Sequence, residues 1–509
     1  MADLVLATLN ATYAHASLGL RCLLANLGEL APRASLREFT LVERPVDIAE
    51  QLLAEQPRLV GLGVYVWNAR PMLELVRLLK RLRPDLCIVL GGPEVSYEVE
   101  AQPIVGLADY IVCGEGELAF RDLATRLLSG ERPKERVLQA SPPDLAVIAL
   151  PYDGYSAVDL AERVVYLETS RGCPYGCHFC LSALDRRVRE FPLPAMLAAL
   201  ADLWARGLRR FRFVDRTFNI DLARARAVLD FFAARQTPDT FVHVEMVAER
   251  VAPELLSSLS RFAPGTVQLE VGVQSFAPEV CATIERASDA ARVEQGLRDL
   301  GATGAHVHAD LVAGLPGESL ASFAAGFDRL VALAPNEIQV GILKRLHGAL
   351  IARHSETFGM LYSDEPPYEI LANDLLDFAT LQRIKRFARY WDVVANSGNF
   401  KQSAPLLWQG GSPFACFLAF SDWLFGRTGK THALGLERMC ALVLEYLTDV
   451  RGCPADDARA SLQRDYVRGG RRPLALLANE GDGESSRGAR ARAVSQGGLP
   501  ARQARHHRS

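Results

Sequence analysis

A chain of 509 residues is too long for one ordinary core, so two or three domains are expected, and 49% apolar residues suffice for their interiors. The 57 Lys+Arg against 60 Asp+Glu are nearly balanced, which removes any global electrostatic case for nucleic acid. Ten cysteines follow an opening, Met1-Ala-Asp-Leu4, that lacks the basic start of a secretion signal; the thiols are expected to be reduced and the protein cytoplasmic.

Residues 1–145 alternate apolar runs with helical patterns. The runs are Leu4–Thr8, Leu59–Tyr65, Leu86–Leu90 and Tyr110–Cys113. Between them, Met72, Leu75, Val76, Leu79 and Leu82 make a stripe with a period near 3.6. Continuous apolar strands separated by amphipathic helices predict a doubly wound parallel sheet, which binds ligands beyond the carboxyl ends of its strands. The suggestive residues sit there: the loop Asn10–Gly19 with His15, Ser17, Leu18 and Gly19, then Tyr65, Gly91 and Gly92, and finally Gly114, Glu115, Gly116 and Glu117. Glycines at such ends let the backbone approach a large flat ligand closely. A lone histidine in a loop is more often a hydrogen-bonding residue than a metal ligand, and His15 is read that way first.

After a linker at 146–162, an apolar strand near Val164–Leu167 leads into Cys173-Pro-Tyr-Gly-Cys177-His-Phe-Cys180. Three thiolates this close can hold three irons of a [4Fe–4S] cube and leave the fourth iron open to a ligand. A structural zinc site would ask for four ligands in paired spacing, and His178 sits inside the loop where it cannot easily reach the same metal. The Cys-x3-Cys-x2-Cys spacing, with Phe179 before the last cysteine and Leu167-Glu-Thr-Ser-Arg-Gly before the first, resembles the radical S-adenosylmethionine superfamily. The resemblance implies a [4Fe–4S] cluster on Cys173, Cys177 and Cys180. It also implies that the open iron chelates S-adenosylmethionine and that reductive cleavage gives a 5′-deoxyadenosyl radical. With that resemblance in view, the loops of residues 1–145 resemble the cobalamin-binding domain that precedes many such enzymes. They depart from it in the first loop, where Asp-x-His-x-x-Gly is missing, so cobalamin is expected without a protein ligand to cobalt.

Residues 163–345 continue the alternation. Strands are expected at Phe211–Val214, Phe241–Met246, Val267–Val273, His306–Val312 and Glu337–Ile342, with helices between, one of them capped by Asp221. With Val164–Glu168 these make six β/α units, the count of a partial TIM-like barrel rather than a full one. Alternation puts Gln268, Glu270, Gly272 and Gln274 on one face, as it does His306, His308 and Asp310, and His243 and Glu245. Three successive strands with one polar face predict a lumen that holds a polar ligand. Glu270–Ser275 and Asp310–Glu318 resemble the fourth- and fifth-strand motifs of the superfamily. This implies that Glu270, Gln274, Ser275 and Asp310 lie near S-adenosylmethionine, with Phe179 beside it and Arg286 pairing with its carboxylate. Asp215-Arg-Thr-Phe-Asn219 stands where relatives have Gly-Gly-Glu, and Asp215 is the candidate for that role.

Residues 346–480 read as a helical domain. Phe414–Phe420, interrupted by Asp422, is too short for a bilayer and reads as a core helix, so no membrane association is expected; Lys385–Trp391 reads as a half-buried face. Leu343–Gly348, Tyr368–Leu371 and Asn396–Asn399 resemble the uncharacterised C-terminal domain of one subgroup of cobalamin-type radical proteins. Residues 481–509, rich in Gly, Ser and Arg, are expected to be disordered. The resemblance implies methyl transfer to an unactivated carbon of a small molecule, with a reducing partner such as flavodoxin or ferredoxin. The alternatives are a cobalamin-independent cyclisation, epimerisation or rearrangement, and a non-catalytic corrinoid or cluster sensor. Methylthiolation of transfer RNA would need further cysteines in the first domain, where only Cys22, Cys87 and Cys113 occur, widely spaced.

Overall fold

The computed structural model describes residues 2–477 and 500–507. It divides into two compact units: Met1–Arg216 with Lys344–Arg353 and Tyr362–Glu369, and Thr217–Leu343 with His354–Leu361 and Ile370–Ser509.

The first unit is built on strands β1 (Leu4–Asn10), β2 (Ala34–Thr40), β3 (Leu59–Gly63), β4 (Cys87–Gly91), β5 (Tyr110–Cys113) and β6 (Val137–Gln139). They pair in parallel in the order β2-β1-β3-β4-β5-β6. Helices α1 (Leu18–Ala25), α2 (Pro45–Ala54), α3 (Ala69–Leu82) and α4 (Glu117–Leu128) connect them. Because both faces are covered, β1 is buried along its whole length, and one core lies on each side of the sheet. The α3 stripe buries Met72, Leu75, Val76 and Leu79, while Leu82 at its end is exposed, since the helix stops there and the chain turns into solvent.

The segment between the domains is ordered. It carries α5 (Ala157–Glu162), closed by a capping box between Ser156 and Asp159. Arg163 reaches Glu38 of β2 at 2.6 Å and Asp159 at 3.0 Å, Arg21 reaches Glu38 at 2.9 Å, and Arg163 also donates to Tyr13 O and His15 O, which ties this helix to β2 and to the first loop. Next come β7 (Val165–Leu167), β8 (Ser170–Arg171), β9 (Arg189–Glu190), α6 (Leu193–Ala205) and β10 (Arg210–Phe213). β10 runs parallel to β7, and β8 pairs antiparallel with β9. Two later segments belong to this unit as well. Tyr368 donates to Glu94 at 2.5 Å, His347 Nδ1 lies 3.4 Å from the same carboxylate, and Arg345 meets Glu98 at 2.9 Å.

The second unit begins with α7 (Leu222–Ala233), where Asp221 caps the N-terminus by accepting from Arg224 N. Strands β11 (Phe241–Met246), β12 (Val267–Gln274), β13 (His306–Ala313) and β14 (Glu337–Ile342) then pair in parallel, each with the next. Helices α8 (Pro253–Leu259), α9 (Pro278–Thr283), α10 (Ala290–Ala302) and α11 (Leu320–Ala332) alternate with them. Together with the first unit this is the α/β class expected: a doubly wound sheet, a second parallel sheet and a helical C-terminal region.

That region holds α12 (Phe378–Val394), α13 (Pro413–Thr428), α14 (Leu436–Glu445) and α15 (Ala455–Arg468). Phe387 and Trp391 of α12 pack edge-on to Phe327 and Phe417 with ring centres 4.7–5.2 Å apart, so the aromatic residues of this stretch form a buried seam, while Lys385 and Arg389 are exposed and Arg386 lies over Phe425. Of the tail expected to be disordered, 481–499 and 508–509 lie outside the described residues. Ala501–His507 is instead a helix, α16, because Gln503 finds a buried partner in Gln268 at 2.6 Å and Arg502 pairs with Glu337 and Asp392. No described helix is long and apolar enough to cross a membrane.

Candidate active site

In the first unit the chain makes a cavity of about 850 Å³ at the carboxyl edge of the sheet. Its walls include Leu18, Gly19, Tyr65, Gly91, Gly92, Gly114, Glu115, Gly116 and Glu117. Of the residues expected around a corrinoid, the structure therefore brings all but His15 and Ser17 to one cavity. His15 is engaged elsewhere: its Nδ1 lies 2.5 Å from Tyr166 Oη, and burial together with Arg212 and Arg163 disfavours its cation. Ser17 caps α1 by accepting from Leu20 N, and its own N–H donates to Glu38.

Glycine makes the room. Gly61 and Gly63 on β3 also line the cavity, and a β-carbon on Gly61 would sit 2.9 Å from both Leu6 and Phe120. Gly92 has φ of +106° and passes against the Val64 backbone, so no other residue type fits there without strain. Sequence reading placed Gly61 and Gly63 in a strand without assigning them this role; the Gly-Leu-Gly spacing, two on one face, was the signal.

Two more walls come from just before the cysteines. Glu168 and Arg171 line the same cavity. Arg171 reaches Glu115 at 2.7 Å, Glu117 at 2.7 Å and Glu168 at 2.5 Å, and its plane lies over Phe191. Arg189 also pairs with Glu115 and Asp185. Burial pushes the Glu168 carboxyl upward, and Arg171 works against that shift. The Cys22 thiol, 3.9 Å from Glu168, is driven well up by burial and by that carboxylate.

Arg171 leads through Gly172 directly into the cysteine loop. Gly172 has φ of +90° with its α-carbon against Arg187 O, and Cys173 N donates to Asp185 O at 2.9 Å. The β8–β9 pair therefore closes the loop at its base. Cys173, Cys177 and Cys180 are all free thiols; burial raises the Cys173 pKa, and the adjacent Cys180 and Cys177 add to it. Cys173 thus stands close enough to the other two thiols to feel both, which fits the three-point attachment of a [4Fe–4S] cube, whose positive irons would relieve that repulsion. Phe179, which lies between Cys177 and Cys180 in the chain, is half-buried. Asp215 is 1% exposed and accepts from Thr169 N, from Thr169 Oγ1 at 2.6 Å and from Ser170 Oγ at 2.7 Å, so it steadies the strand that enters the loop.

In the second unit the predicted alternation is present. Val267, Leu269, Val271 and Val273 are at most 1% exposed, while Glu270, Gly272 and Gln274 are half-buried on the other face. His243 Nε2 lies 3.0 Å from Glu270, and His308 Nε2 lies 3.2 Å from Asp310. Burial raises the Asp310 pKa against the pull of His308. Burial also works against the His308 cation, but Asp310, Glu337 and Glu270 outweigh it and raise its pKa.

Gln274 adopts φ of +72° where the register of β12 slips, a costly conformation for a side chain with a β-carbon. Gly272 makes space for it: a β-carbon there would come within 2.5 Å of Gln274 Nε2. Arg286 Nη2 donates to Gly272 O, and Ser275 Oγ donates to Glu318. Glu318, at the end of the fifth-strand motif and outside the residues expected at S-adenosylmethionine, is 2% exposed, and burial pushes its pKa up to about 7.

The chain matches the B12 binding domain family over residues 4–124, the radical SAM superfamily over 167–330, and the protein of unknown function family DUF4080 over 356–482. It is 28% identical to 2-(S-pantetheinyl)-carbapenam-3-carboxylate methyltransferase of Streptantibioticus cattleyicolor, over 57% of this chain and 48% of that one. It is likewise 28% identical to the cobalamin-dependent radical SAM methyltransferase TokK of Streptomyces tokunonensis, over 57% and 47%. The chain thus spans about half the length of the curated relatives it matches. The cobalamin-dependent S-adenosylmethionine radical enzyme OxsB, solved with aqua-cobalamin and S-adenosylmethionine, shares the fold with a TM-score of 0.60 at 15% identity, over 91% of this chain and 78% of that one.

Proposed function

We infer that this chain, which joins a B12 binding domain, a radical SAM domain and a DUF4080 domain, is a cobalamin-dependent radical S-adenosylmethionine enzyme that methylates an unactivated carbon of a small molecule. The observation that carries this reading is the shared wall: Glu168 and Arg171, which lead into Cys173, also line the glycine cavity of the first domain. A corrinoid there and a cluster on Cys173, Cys177 and Cys180 would be positioned by one short run of chain. When bound, the cluster supplies the electron that cleaves S-adenosylmethionine, and the corrinoid carries the methyl group.

The protein's own part is to bind, orient and keep water out. Gly91, Gly92, Gly114 and Gly116 would hold the corrinoid, since without β-carbons the backbone can approach a large flat ligand closely. His15 is held by Tyr166 and would not be free to ligate cobalt. Glu270, Gln274, Ser275, Arg286 and Asp310 are the proposed contacts of S-adenosylmethionine, with Phe179 packing beside it and Asp215 acting through Thr169 and Ser170 rather than by contact. A one-electron donor such as flavodoxin or ferredoxin is the proposed partner. Methylthiolation is disfavoured because Cys87 and Cys113 lie in the two different cores of the first sheet and Cys22 is buried on α1, so the three do not form the local ligand set that a second cluster needs.

The test is the absorption spectrum of anaerobically reconstituted protein, with and without hydroxocobalamin, followed by assay of 5′-deoxyadenosine after reduction with S-adenosylmethionine. Iron-dependent absorption near 400 nm, retained corrinoid and 5′-deoxyadenosine release are expected. Cluster and nucleoside without retained corrinoid would favour the cobalamin-independent rearrangement, and a cluster with no nucleoside would favour a sensor.

A further inference from the structure

The second unit holds a group of side chains that the proposed methyl transfer leaves unused. His306 opens β13, Glu337 opens β14, and α16 lays His506 beside both. One nitrogen of each histidine and one carboxylate oxygen lie within 4.8 Å of one another. His306 Nε2 is 2.9 Å from Glu337 Oε1, and His506 Nε2 is 3.7 Å from the same oxygen. A tetrahedral Zn²⁺ with bonds of about 2.0–2.1 Å separates its ligand atoms by about 3.3 Å, midway between those distances. We propose that His306, Glu337 and His506 form a zinc site, with water as the fourth ligand, that fastens the C-terminal helix to the amino ends of β13 and β14.

The surroundings meet the other requirements of such a site. The donor set is one carboxylate and two imidazoles, the kind zinc prefers to calcium or magnesium. His306 is completely buried, and its Nδ1 lies 3.2 Å from His507 Nε2. With Nε2 on the metal, Nδ1–H would donate to His507, the outer hydrogen bond that orients ligating histidines. Glu337 Oε2 is held by Arg502 at 2.7 Å, which leaves Oε1 for the metal. Arg502 is itself balanced by Asp392 at 2.7 Å, so Glu337, Arg502 and Asp392 sum to one negative charge that a divalent cation would offset. His506 Nε2 now donates to Asn396 O at 2.7 Å and would exchange that bond for the metal. Access is available, because Glu337 and His506 line an open cleft of about 970 Å³ with Asn336 and Lys401. The benefit is mechanical: α16 has seven residues, too few to be helical unaided.

The test uses the full chain, reconstituted anaerobically, equilibrated with micromolar zinc and desalted, with iron and zinc counted by mass spectrometry. The wild type should retain about one zinc beside about four irons, while H506A, E337Q and a chain ended after Pro500 should keep the iron and hold less than about a tenth of the zinc. Zinc X-ray absorption should show only nitrogen and oxygen near 2.0–2.1 Å. Equal zinc in H506A and wild type, no zinc in either, or a sulfur shell near 2.3 Å, which marks zinc in the cysteine loop, would each overturn the proposal. Unchanged iron shows that the variants fold, and none of these readouts depends on corrinoid or on methyl transfer.

Discussion

The two parallel sheets prepare for ligands in opposite ways. The first removes side chains: Gly61, Gly63, Gly91 and Gly92 leave a hollow floored by backbone, and charge enters only at its edge through Arg171 and its three glutamates. The second adds them: His243, Glu245, Glu270, His308 and Asp310 crowd one face and partly neutralise one another. A hollow made by deletion suits a large rigid molecule recognised by shape. A face made of paired polar groups suits a smaller molecule recognised by hydrogen bonds, at the cost of several buried ionisable groups.

The contrast can be broken most severely at Arg171. Arg171→Met leaves Glu115, Glu117 and Glu168 facing one another without their shared cation. A loss of about 3–5 kcal/mol is expected, read by chemical denaturation of the anaerobic protein. Gly91→Val tests deletion itself: a β-carbon there meets nothing closer than 3.5 Å and needs no unusual φ, so the fold should stand while the hollow fills. Corrinoid affinity should fall about 100-fold with iron content unchanged, by equilibrium dialysis.

Glu318 sharpens the other half of the contrast. Its folded pKa of about 7 lies above the usual 4.5, so the folded protein keeps a proton that the unfolded chain has already released. Stability should therefore fall as pH rises from about 4.5 to 7, by at most about 3 kcal/mol, and Glu318→Gln should flatten that dependence in unfolding titrations. The smallest effect is expected from Gly272→Ala, where the new methyl displaces only the end of Gln274: about 1 kcal/mol in stability, with a larger proportional loss of S-adenosylmethionine affinity by calorimetry.

The difference in construction also explains what could be read beforehand. Strand periodicity located both sheets, and the cysteine spacing located the cluster loop, because each signal is local. The polar face of β12 and β13 was legible for the same reason: two-residue alternation needs no partner strand. Arg171 was not legible, since two of its three carboxylates, Glu115 and Glu117, lie more than fifty positions away. His15 was a candidate by its place in the first loop and Arg286 by resemblance, and the structure engages them with Tyr166 and Gly272 O. The tail composition pointed to disorder because the buried partners of Gln503 and Arg502, Gln268 and Glu337, stand far upstream.

Tyr368 and His347 close on Glu94 from segments that follow the whole second sheet in the chain. The amino-terminal unit therefore cannot be finished until the ribosome has passed residue 369, and a fragment cut at the apparent domain boundary would carry Glu94 stripped of both partners. Such a protein resists modular dissection: its first-made region waits on segments made only after the second sheet, and any attempt to transplant the corrinoid module must bring both returning segments with it.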